Sequence, residues 1–348
     1  MKRIIGFCAL SALIGIIASQ TFVLGQDRVE RRDKKGGSSI ISGKILEENS
    51  AGVKIKPAGL GKEETVPSNE IIRMTYSELP AKVTLEIGKL SPAETARDFP
   101  MVLKGFQAVQ AMPEVKAAGP AARRYIDYRV ASLQAMVAEG DEQLKAAIKA
   151  LVDFTTAHPD TWEFPNAARQ LARLQADTAD YAGATKSYEL IEKAANIPAE
   201  FKQEATAALI DIAFQSEKYD DGRKRIKAVN EDAKSPVSLR ERVIIYQLGL
   251  DAADAKGDSA ASIKKIEEAI GKAADPGLKA LGYNVLGDVY LARSNKRDAM
   301  WSYLWVDVVY NQDRGEHLKA MTRLIKIFEG ENDKDKATLY KEKLARSR

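Results

Sequence analysis

The sequence predicts a mostly α-helical chain: an α-solenoid of about six helix pairs, preceded by a small β barrel-like module and a secretory leader. Three observations predict it. Apolar residues recur at helical spacing beyond Ser91, whereas from Asp27 to Tyr76 they sit in short alternating or β-branched runs. Small residues stand at Ala147, Ala184, Gly222, Ser262, Ala299 and Ala337, separated by 37, 38, 40, 37 and 38 residues. Lys2 and Arg3 precede an apolar stretch from Ile4 to Ala18.

That stretch is interrupted by Gly6, Ser11 and Gly15 and is too short for a spanning helix, which needs roughly 20 apolar residues. Val23 and Gly25 supply small residues at the −3 and −1 positions of a cut before Gln26. The expectation is a signal peptide over 1–25 and a periplasmic or secreted protein with no integral span after cleavage. An uncleaved N-terminal anchor is the alternative. Cys8, the only cysteine, lies inside the leader, so the mature chain has no disulfide and no thiolate metal ligand.

Over 26–78, Arg28-Val29-Glu30-Arg31, Ser38 to Leu46, Val53 to Lys56, Thr65-Val66 and Ile71 to Tyr76 read as about five strands. Asn49 to Gly52 and Pro57 to Gly61 break them. This rhythm resembles small SH3-like or Sm-like barrels. Lys34-Lys35-Gly36-Gly37 reads as a solvated loop tip.

Residues 79–118 read as a linker and a degenerate first helix pair, with Phe99 to Val109 as its second helix, and 119–348 as the array. The clearest unit runs from Leu281 to Val309. Tyr283, Leu286, Gly287 and Tyr290 stand at i, i+3, i+4 and i+7 of one helix, and Ala299, Tyr303 and Val306 follow on the next. This pattern resembles the tetratricopeptide repeat family, whose small residues let antiparallel helices approach while aromatics fill the gaps between pairs. The spacing exceeds the usual period of about 34 residues, and Ile210, Leu250 and Ile325 are bulky where the pattern expects small. Pro159, Pro198, Pro236 and Pro276 fall between units, where proline ends one helix or starts the next. Gly140-Asp141, Tyr181, Tyr219, Gly257-Asp258 and Ser294-Asn295 mark the turns within them.

Composition narrows the function. Hydrophobic residues make up 45% and charged residues 29%, which fits a folded chain. The net charge of +4 is spread over alternating signs without a basic stripe, which argues against nucleic acid as a partner. His158 and His317, the only two histidines, lie in different units without a partner at metal-ligand spacing. Neither a phosphate-binding glycine loop nor a Ca²⁺ loop is recognisable. The expectation is no enzyme and no cofactor.

The family resemblance implies a scaffold that binds a protein or peptide through a concave surface. Carrying its register across places Met136, Arg173, Asp211, Asp251, Asp288 and Lys326 in one column facing that surface. Asp254 lies one turn from Asp251, and Gln247 and Asn284 one turn before Asp251 and Asp288, which completes the candidate site. Three successive carboxylates would focus negative potential and favour a basic partner. The alternative is a secreted accessory protein in which the β module recognises an envelope component and the array is a spacer. Trp301 and Trp305, one turn apart, are expected to pack against the helix from Glu316 to Phe328; an exposed aromatic anchor is the other reading.

Overall fold

Alternation of apolar and polar residues puts Val29, Val53, Ile55, Val66 and Met74 on one buried face of a five-stranded antiparallel sheet. The computed structural model describes residues 25–33, 36–59, 61–254 and 259–347. The leader up to residue 24, the Lys34-Lys35 tip and the Gly257-Asp258 turn lie outside the described residues. The strands are β1 (Asp27–Arg32), β2 (Ser38–Asn49), β3 (Gly52–Pro57), β4 (Glu64–Pro67) and β5 (Ile71–Thr75), in the order β4-β3-β2-β1-β5. Long β2 serves two partners. Gly43 stands opposite both Asp27 of β1 and Pro57 of β3, and a Cβ there would lie 2.1 Å from the Lys56 carbonyl oxygen. Only glycine permits that approach.

Four short helices follow: α1 (Ala81–Gly88), α2 (Ser91–Thr95), α3 (Phe99–Gln110) and α4 (Pro113–Ala117). Twelve more make up the rest of the described chain: α5 (Pro120–Val137), α6 (Gly140–Ala157), α7 (Phe164–Asp177), α8 (Tyr181–Lys193), α9 (Ala199–Gln215), α10 (Tyr219–Glu231), α11 (Val237–Ala253), α12 (Ala260–Lys272), α13 (Pro276–Ala292), α14 (Lys296–Val308), α15 (Arg314–Gly330) and α16 (Lys334–Ser347). From α5 onward each helix packs on its neighbours in sequence, and each odd-numbered helix also packs on the next odd-numbered one. Short connections enforce the first pattern.

The periodic small residues lie at these contacts. Ala147, Ala184, Gly222, Ala299 and Ala337 are buried, and Ser262 is half-buried. A Cβ on Gly287 would lie 2.4 Å from Cε1 of Tyr303, so the α13–α14 approach depends on glycine. The turns between α7 and α8, α9 and α10, α13 and α14, and α15 and α16 share one design. Ala179, Glu217, Ser294 and Asn332 each take a positive φ near 60°. The next residue's N–H then donates to a carbonyl five residues back, as Asp180 does to Gln175 and Asn295 to Tyr290, both at 2.8 Å.

The β module shares a core with the helices: Val29, Met74 and Tyr76 pack with Tyr125 and Ile126 of α5 and with Trp162. Arg124 links the two parts. Its Nε donates to both Glu163 oxygens at 3.1 Å, and its Nη2 donates to Glu48 and to the Tyr76 hydroxyl. Trp162 Nε1 also donates to Tyr76 Oη, at 3.3 Å. Burial pushes Glu163 up to about 7 despite the opposing Arg124 charge.

Candidate partner-binding cavity

Amphipathic helices that bury one face on a neighbour leave the other face for solvent or a partner. Here the free faces of α5, α7, α9, α11 and α15 surround a cavity of about 700 Å³. Arg169 and Arg173, one turn apart on α7, both reach Glu204 of α9. Their charges outweigh burial and hold the Glu204 carboxyl below its usual range. Across the cavity α15 presents Glu316, Lys319, Arg323 and Lys326, at i, i+3, i+7 and i+10 of a single face.

Those side chains reach far in sequence. Glu316 accepts from Arg242 of α11 and from Asn284 Nδ2 of α13 at 2.9 Å. Burial would raise its pKa, but Lys319 and Arg242 outweigh this and hold it at about 2. Lys319 Nζ lies 3.6 Å from Asp211 and donates to the Tyr246 hydroxyl at 3.3 Å. Arg323 donates through Nη2 to Asp288 at 2.9 Å and to Asp211 at 3.3 Å. Burial pushes Lys326 below the usual lysine range, and nearby Arg323 adds to the shift.

Of the sequence-derived column, Met136, Arg173, Asp211 and Lys326 line the cavity. The continuous carboxylate row does not form. Asp288 is buried beneath α15, where it accepts from Arg323 and from the Tyr303 hydroxyl at 2.6 Å. Asn284 is buried too, as the donor to Glu316. Asp251 and Asp254 lie elsewhere, facing Arg223 of α10 at 3.6 and 2.8 Å, with Gln247 Nε2 donating to Asp251 at 2.8 Å. The geometry of α11 explains this. Arg242 faces the cavity, and nine residues at about 100° each carry Asp251 to the opposite side of the helix.

The expected negative focus is therefore corrected. The lining carries seven lysine or arginine side chains against six carboxylates, so its charge is nearly balanced. Sequence reasoning missed the charged face of α15. Its spacing is legible in Glu316-Lys319-Arg323-Lys326, but its partners lie on helices two to six elements earlier.

Neither histidine is in the cavity. His158 caps the end of α6 with its ring 5.0 Å from that of Phe154, and burial lowers its pKa. His317 Nε2 lies 2.7 Å from Asp307, which also receives the Tyr340 hydroxyl at 3.0 Å and Lys343. These contacts tie α14, α15 and α16 together. The two tryptophans depart from the packing expectation. Trp305 stacks on Tyr283 of α13 at 5.7 Å rather than on α15, and Trp301 is exposed.

No known family model matches the chain, and no curated protein matches it significantly.

Proposed function

We propose that the protein is an exported, non-enzymatic scaffold whose paired helices form a tetratricopeptide-like solenoid and whose concave face binds another protein. The cavity carries this reading: its charges are dense, nearly balanced and supplied by alternate helices, as suits a polypeptide segment bearing both signs. Apolar Met136, Leu174, Ala207 and Leu239 in the same lining offer contact area between the charges. The glycine-dependent approach of α13 to α14 and the recurring left-handed turn, 38 residues apart at Ala179–Glu217 and again at Ser294–Asn332, support the repeat reading.

Affinity capture from envelope extract tests it. Arg173→Glu with Lys326→Glu reverses two lining charges and is expected to lose the native partner. Lys44→Glu with Lys56→Glu, on exposed facing positions of β2 and β3, is expected to keep it. The opposite pattern assigns recognition to the β module and refutes the cavity. Point variants are preferable to deleting the module, which would expose Tyr125 and Trp162.

A further inference from the structure

Helix α14 leaves an apolar stripe uncovered. Trp301, Trp305, Val308 and Val309 stand at i, i+4, i+7 and i+8, and are 55%, 47%, 69% and 41% exposed. The stripe widens sideways, because Trp305 stacks on Tyr283, and Tyr283 on Tyr310 at 5.4 Å. Cations border it. Lys296 and Arg297 are exposed on the first turn of α14, Arg297 one turn before Trp301, and the Lys279 ammonium sits 5.7 Å from the Tyr310 ring centre. Acidic groups also stand nearby, two of them engaged in helix caps: Asp298 is held by Asn295 at the start of α14, and Asp275, one turn before Lys279, accepts from the Leu278 N–H at the start of α13, while Glu267 of α12 acts on Tyr283.

We infer that this face docks the chain on an anionic lipid surface, independently of the cavity. Three features select that occupant. The open area, on the order of 400 Å², is about half of what each partner in a stable protein pair contributes, which disfavours a second copy. Trp and Tyr combine an apolar ring with a polar N–H or O–H, the combination that settles at the depth of lipid headgroups. The bordering lysines and arginine complement anionic headgroups, whose attraction supplements a small apolar contact. Among the described residues no helix is long and apolar enough to cross a membrane, so the contact lies on the surface.

The chain has three tryptophans, and Trp162 is buried, so intrinsic fluorescence reports directly on Trp301 and Trp305. Full-length mature protein is mixed with equimolar phosphatidylglycerol–phosphatidylcholine vesicles and, separately, with phosphatidylcholine alone. The expected result is a blue shift and co-flotation with the anionic vesicles only, weakened by added salt. Trp301→Ala with Trp305→Ala, both on exposed positions, is expected to lower the floated fraction about tenfold or more while leaving the circular dichroism spectrum intact. Three results would overturn the inference: no shift with anionic vesicles, flotation that survives the double variant, or a concentration-dependent dimer that the double variant abolishes.

Discussion

Gly287→Ala gives the sharpest test of the helix packing. The new methyl would stand 2.4, 2.6 and 2.9 Å from Cε1, Cζ and Cδ1 of Tyr303, where ordinary contacts begin at 3.4 Å. The ring has little room to recede: Tyr303 is fully buried and its hydroxyl donates to buried Asp288 at 2.6 Å. Helix propensity alone would favour alanine by about 1 kcal/mol. Overpacking opposes this with about 1–3 kcal/mol, and loosening a hydrogen bond to a charged acceptor with about 1.5–3 kcal/mol. The net expectation is a loss of about 3 kcal/mol. Gly271→Ala is the control, since nothing lies within 4 Å of its Cβ position on α12. There only the propensity acts, and stability should rise by up to about 1 kcal/mol. Urea denaturation followed by circular dichroism measures both. A Gly287→Ala protein as stable as its parent would refute the close approach of α13 and α14.

Two further perturbations probe the buried charges. Arg323→Met strips Asp288 of its counter-charge and should cost about 3–5 kcal/mol at neutral pH, much of it restored by adding Asp288→Asn; equal stability of the single and double variants would count against the pairing. Glu163 titrates at about 7 in the folded chain against 4.5 ordinarily, so the folded state takes up its proton first as pH falls. Its contribution to stability therefore grows from pH 7 down to 4.5, by at most about 1.4 kcal/mol per pH unit, and diminishes as pH rises through 7. Glu163→Gln should remove that slope in denaturation curves taken at several pH values, and an unchanged slope would contradict it.

The sequence by itself determined the local structure. Hydrophobic period separates the strands from the helices, since a period of two suits a pleated strand and 3.6 a helix face. The small-residue column from Ala147 to Ala337 marks helix contacts, because close packing leaves its signature wherever it recurs. Prolines at 198, 236 and 276 open helices, as their fixed φ and missing N–H require. The turns after α7, α9 and α13 are legible in the sequence, but their left-handed backbone is not, because Ala179, Glu217 and Ser294 stand where glycine is the usual signal.

Only the tertiary structure decided which charged residues meet. Asp211, Asp251 and Asp288 look equivalent in a repeat register. Yet Asp288 lies beneath Arg323, Asp211 faces both Lys319 and Arg323, and Asp251 turns toward Arg223. Register records spacing within one helix, whereas electrostatic environment depends on what a distant segment brings, here α15 from more than a hundred residues away. The exposure of Trp301 was hidden for the same reason, because helical spacing defines a stripe but not whether a neighbour covers it.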